Sequence, residues 1–140
     1  MCDASNTPQL TSSAADLVAA ADAYVGSIDV AKVDEMLSAA DVRLIDVRDV
    51  RELAKTGRIP GAKHCPRGML EFWIDPESPY HKPLFAEDAT FVFYCASGWR
   101  SALAAQTAKQ MGLQRVTHLK GGITAWIDAG KPTEEGPDAS

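Results

Sequence analysis

A chain of 140 residues with 46% hydrophobic and 24% charged side chains has the length and balance of one soluble globular domain. Its formal net charge of -5 argues against a nucleic-acid partner, which calls for a basic face. It still leaves room for a small anion held in a local basic cradle. Three cysteines, Cys2, Cys65 and Cys95, make neither a disulfide framework nor a CxxC zinc pattern. No run approaches the ~20 apolar residues that span a bilayer, and the first residues carry no secretory pattern. The expectation is a reduced, cytoplasmic protein with no membrane partner, no metal and no cofactor.

In chain order, residues 1–13 read as loose. Ser13 to Val25 reads as an Ala-rich helix with Leu17, Ala21 and Tyr24 on its apolar face, ended by Gly26. Ser27-Ile28 is a candidate edge strand. Asp29 is a candidate N-cap for a helix over Val30 to Ala39, with Val33, Met36 and Leu37 inward. Val42 to Val47 is the first convincing buried strand, and Val50 to Thr56 a short helix stopped by Gly57. Ile59-Pro60-Gly61-Ala62 signals a turn, Lys63-His64-Cys65 a very short strand, and Arg67 to Trp73 a helix. The stretch holding Pro76, Pro79 and Pro83 predicts irregular chain with one helical turn at Leu84-Phe85.

Thr90 to Tyr94 is the second convincing strand, and a helix follows from Trp99 to Met111 with Ala104, Ala108 and Met111 as its stripe. Val116 to Leu119 is the last strand, and Ile123 to Ala129 the last helix, stopped by Gly130 and Pro132. Strands alternating with helices of this length predict an α/β fold with a parallel sheet. The expected organisation is an N-terminal segment over 1–27, a domain over 28–132 and a frayed acidic tail over 133–140.

Chemistry concentrates in Cys95-Ala96-Ser97-Gly98-Trp99-Arg100-Ser101. A cysteine that ends a strand and precedes a helix sits in the field of the helix N-terminus, whose amides and dipole favour an anion. The thiolate is the reactive form of cysteine, and such settings bring its pKa into the ~3.5–7.5 range. Gly98 permits unusual backbone angles, and Arg100 offers a planar fork of donors suited to an oxyanion. Sites in open α/β sheets lie at the carboxyl ends of strands, where both Cys95 and Asp46 fall.

Cys95 to Ser101 resembles the active-site loop of the rhodanese family of single-domain sulfurtransferases. Three further segments agree in order. Leu44-Ile45-Asp46-Val47-Arg48 resembles the family's IDVR strand end, and Gly57-Arg58-Ile59-Pro60-Gly61-Ala62 resembles its GHIPGA turn. Leu119 to Trp126 and then Ala129 to Pro132 resemble its C-terminal GG, AW and AGxP pattern. The resemblance implies a three-layer α/β domain, with a central parallel sheet of about five strands flanked by helices. It also implies covalent catalysis: Cys95 takes sulfane sulfur from a small anionic donor such as thiosulfate, then passes it from a persulfide to a thiol, to cyanide or to a protein acceptor.

By the same resemblance, the Ala96, Ser97, Gly98, Trp99, Arg100 and Ser101 amides cradle the sulfur, and Arg100 holds the donor or the persulfide charge. Ser101 caps the helix or donates a hydrogen bond. Asp46 and Arg48 match supporting positions, although an Asp after a strand is equally a cap or turn former. Trp99 is a candidate pocket wall, and Trp126 a core anchor. Cys65 is either a resolving thiol or a buried one, and His118 a satisfied polar residue in its strand. Two rivals stand beside this reading. One is a cysteine-dependent phosphatase (or arsenate reductase), whose Cys-x5-Arg loop is one residue longer. The other is a non-enzymatic or regulatory rhodanese-like module that binds a protein partner or carries sulfur to it, a kind that commonly lacks the cysteine.

Overall fold

The computed structural model of the chain describes residues 7–136, and two strands with apolar residues on both faces set its architecture. In β4 (Thr90–Tyr94), Phe91 and Phe93 pack into one apolar cluster together with Cys95 just beyond, while Val92 and Tyr94 pack into another. β2 (Val42–Asp46) divides likewise, Ile45 to the first cluster and Leu44 to the second. A two-residue period with both sides apolar suits a strand buried between two helix layers. β1 (Ser27–Ile28), β3 (Lys63–His64) and β5 (Val116–Leu119) complete a sheet of order β1-β5-β4-β2-β3, every pair parallel.

Among the described residues, six α-helices flank this sheet: α1 (Ala14–Val25), α2 (Val30–Met36), α3 (Val50–Thr56), α4 (Leu70–Ile74), α5 (Trp99–Gln110) and α6 (Gly122–Asp128). Leu70 and Ile74 of α4 and Ala104, Ala105 and Ala108 of α5 cover one face; Val33 of α2 and Ile123 and Trp126 of α6 cover the other. The three-layer parallel α/β fold expected from the sequence is the fold observed. Strand order reverses between the neighbours β2 and β4, the crevice where such sheets place their sites. Asp46 pairs in register with Tyr94 there, so the carboxyl ends carrying Asp46 and Cys95 adjoin.

Some local expectations are corrected. In α1, Leu17 and Tyr24 are exposed and Ala21 is buried. The helix packs along the Ala-rich α5, where a small side chain allows close approach and larger ones turn to solvent. Ser13 caps α1 in a reciprocal capping box with Asp16. On α5 the buried stripe is Ser101, Ala102, Ala104, Ala105 and Ala108, with Met111 outside it. α2 ends at Met36 rather than Ala39, and Arg67–Trp73 divides into a 3-10 turn, Arg67–Met69, and then α4.

The tail is pinned for part of its length. Arg58 and Glu134 exchange backbone hydrogen bonds of 2.9 and 2.8 Å in an isolated antiparallel bridge. Cys2 and residues 137–140 lie outside the described residues, as does the start of the segment expected to be loose.

Beneath the site lies a buried ion pair. Arg48 donates to Asp46 through its backbone N–H, Nε and Nη2, the last at 2.8 Å, and both side chains are essentially inaccessible. The guanidinium also bonds Thr56 Oγ1 and the Gly57 carbonyl, each at 2.7 Å, tying the end of β2 to the end of α3. Burial alone would lower the Arg48 pKa, but the hydrogen bond and charge of Asp46 outweigh it and raise it. Removing one partner of such a pair leaves an uncompensated buried charge. Arg48→Ala is therefore expected to cost about 3–5 kcal/mol of stability, read from a fall in the urea midpoint at unchanged slope.

Candidate functional site

The loop after β4 is held by its carbonyls. Cys95 O accepts from Ile123 N–H at 2.9 Å and Ala96 O from Thr124 N–H at 3.1 Å, so the first turn of α6 clamps the residues that carry the thiol. This approach demands glycine: Gly122 has φ 63°, and a Cβ there would lie 2.4 Å from Cys95 O and 2.5 Å from Ala96 O. Gly98, at φ 108°, then turns the chain into α5 as its N-cap residue. Its N–H donates to Cys95 Sγ at 3.1 Å. The sulfur thus faces a backbone donor at the start of a twelve-residue helix, a setting that favours negative charge.

Each expected site residue has a definite place. Cys95 is 1% exposed and Ser101 0%, and their side chains meet at 3.5 Å. Ser101 is the third residue of α5 and makes no cap; its hydroxyl oxygen accepts from Cys95 Sγ. Trp99 is half exposed and, with Ser97, Gly98 and Lys120, lines a cavity of about 310 Å³ shared with α1.

Arg100 forms a bidentate pair with Glu52 of α3, at 2.7 and 2.9 Å. That hydrogen bond is the chief reason the Arg100 pKa is raised; the Cys95 charge also contributes. Asp46 and Arg48 are buried in the structural pair already described, below the loop. Tyr94 is pushed up by burial and then by the Asp46 charge, and its hydroxyl accepts the Ile59 N–H at 3.1 Å.

Glu52, Asp22 and the active contacts of His118 were not drawn from the sequence. Glu52 has one legible signal, its capping box with Asp49, but its reach across to Arg100 is tertiary. The Glu52 pKa is lowered chiefly by the Arg100 hydrogen bond. The pair's contribution is therefore present above the ordinary Glu value of about 4.3 and is lost as pH falls through the lower folded value. Cys65 is buried, and burial pushes its thiol up to about 12, which suits an inert packing thiol. Trp126 is fully buried, with its indole N–H on Pro132 O at 2.7 Å. Among the described residues, no cluster of His, Cys, Asp or Glu is arranged to hold a metal, and no helix is long and apolar enough to cross a membrane.

A rhodanese-like domain model matches residues 29–129. The chain belongs to the rhodanese-like domain family. A sulfurtransferase from Allochromatium vinosum is 35% identical over 109 residues, 77% of this chain and 94% of its own length. A human thiosulfate:glutathione sulfurtransferase is 30% identical over 108 residues, 73% of this chain and 93% of its own. Sulfur transfer is the class of reaction these relatives share. A solved structure from Rhodopseudomonas palustris, described as of unknown function and a possible tyrosine phosphatase, superimposes with TM-score 0.88 at 49% identity. It covers 92% of this chain and 100% of its own, so that likeness extends beyond the rhodanese-like segment.

The clamp on the loop is open to mutation. Gly122→Ala is expected to displace the Cys95 and Ala96 carbonyls, because the Cβ meets backbone rather than a yielding side chain. Stability should fall by about 1–3 kcal/mol and Cys95 alkylation kinetics should change, whereas Gly130→Ala, with nothing near its Cβ, should leave those kinetics as they are.

Proposed function

We propose that this protein is a sulfurtransferase that carries sulfane sulfur on Cys95. The observation that carries this reading is the Cys95 thiol at the end of the central strand, with Sγ receiving the Gly98 N–H at 3.1 Å at the N-terminus of α5. In the first half-reaction, the Cys95 thiolate attacks the outer sulfur of a donor such as thiosulfate. A new S–S bond forms, the donor's own S–S bond breaks, and sulfite departs with the electron pair. In the second, an acceptor thiolate or cyanide attacks the terminal persulfide sulfur and restores the Cys95 thiolate. No net redox partner is needed in either half.

The amides from Ala96 to Ser101 are assigned as the cradle for the terminal sulfur. Arg100, oriented by Glu52, keeps a fixed positive charge near Cys95 for the donor anion or the persulfide. Trp99 presents a half-exposed ring beside the loop and is the residue we assign to substrate selection. Asp46 and Arg48 support the site by holding the end of β2, and residues 28–132 form the domain that carries the Cys95 loop. The spacing of four residues between Cys95 and Arg100 gives a smaller ring than the Cys-x5-Arg loop of phosphatases, suited to one terminal sulfur rather than a phosphoryl group.

Incubation with thiosulfate should add the mass of one sulfur atom to the intact protein. Cys95→Ser should abolish the gain, and Cys65→Ser should retain it. A wild-type protein that gains no sulfur yet hydrolyses an aryl phosphate would replace this reading with the phosphatase one.

A further inference from the structure

The Cys95–Ser101 contact is the first step of a longer buried path. Ser101 Oγ lies 3.1 Å from His118 Nδ1, and His118 Nε2 lies 2.5 Å from Asp22 Oδ1. His118 is 3% exposed, while the Asp22 side chain is about half exposed, at 47%. Four elements meet in this path: Cys95 follows β4, Ser101 is on α5, His118 on β5 and Asp22 on α1. α1 lies wholly outside the matched segment 29–129.

We propose that Asp22, His118 and Ser101 form a hydrogen-bonded path that takes the proton from Cys95 as its thiolate forms, with Asp22 and His118 as positioning residues. The proposal rests on the Cys95 chemistry set out above. A carboxylate only accepts hydrogen bonds, so Asp22 fixes the neutral His118 proton on Nε2 and leaves Nδ1 as an acceptor. The Ser101 hydroxyl then donates to Nδ1, and its oxygen is free to accept the Cys95 S–H. Every bond in the path points the same way, from sulfur to carboxylate.

The proton balance is simple. The Cys95 S–H bond breaks as an O–H bond forms at Ser101, and the original Ser101 proton passes to Nδ1. The products are a thiolate and an imidazolium beside the Asp22 carboxylate; no electrons change hands. The arrangement of Ser101, His118 and Asp22 matches a hydrolase triad in residue type. Yet Ser101 is fully buried and its hydroxyl faces Cys95, so it serves the thiol rather than a substrate.

The charged groups around His118 are few among those described. Asp22 faces it from α1, and Lys120, two residues along, lines the same cavity. Arg100 of α5 acts on Cys95, and Lys109 of α5 is taken up by the Tyr24 carbonyl at 3.1 Å. The register neighbours of His118 on β1 and β4, Ser27 and Phe93, are uncharged. Asp22 also borders the cavity beside Trp99, which gives the path an outlet to solvent.

Iodoacetamide alkylation of Cys95, followed across pH, tests the path without requiring sulfur transfer. In Asp22→Asn and in Ser101→Ala, the pH of half-maximal alkylation should rise by about one unit, slowing the reaction near neutral pH roughly tenfold. The double variant should be no slower than either single one, since both cut the same path. Asp22→Asn alters a half-exposed position and should keep the wild-type circular dichroism spectrum. An Asp22→Asn pH profile that superimposes on wild type overturns the proposal. So does a double variant whose slowing is the product of the two single effects. Wild-type protein that fails to take sulfur from thiosulfate while showing the predicted shifts would remove the proposed function and leave the path standing.

Discussion

The grip of α6 on the Cys95 loop is the constraint on which the site depends. A reactive thiol needs a fixed position, and a loop of small residues offers little side-chain packing to fix one. Backbone does it instead, through the Ile123 and Thr124 amides on the Cys95 and Ala96 carbonyls. Those amides are among the first of α6 and have no partner inside their own helix, so the loop satisfies the helix while the helix immobilises the loop. The Gly122 backbone, pressed against the Cys95 and Ala96 carbonyls, is what the close approach requires.

Two arginines near this loop are used in opposite ways. Arg48 is buried with Asp46 and engages all three of its guanidinium nitrogens with the protein, joining β2, α3 and the Gly57 turn. Arg100 is partly exposed and half satisfied by Glu52, so its charge remains available at the surface. Buried pairs are costly to break and exposed ones contribute little to stability. The first therefore belongs to the scaffold, and the second leaves its charge at the surface, which is why we assign it to the proposed chemistry. Glu52 links them, because its position on α3 follows from the helix whose far end Arg48 holds.

Much of this was legible in the sequence. Short apolar runs marked β2 and β4, the Asp29 cap marked α2, helix-ending glycines marked α1 and α3, and the spacing from Cys95 to Arg100 marked the loop. What escaped was non-local. Glu52 drew no reading of its own, because nothing near it in the chain names Arg100, 48 residues on. His118 read correctly as a satisfied polar residue, but its partners come from α1 and α5, which no periodicity joins to β5. Leu17 and Tyr24 misled because hydrophobicity was taken to decide the inward face of α1, where close packing against alanines decided it.

The sheet also bears on how the chain avoids its own kind. Thr90-Phe91-Val92-Phe93-Tyr94 is a short uncharged segment rich in aromatic and β-branched residues, the composition that stacks into intermolecular cross-β assemblies. It occupies the middle of five strands, and the edges are β1 and β3, each two residues long. Edges that short offer a neighbouring chain almost no ladder to extend. The same central position that gives Cys95 its setting thus keeps the chain's most self-adhesive segment sequestered for as long as the domain stays folded.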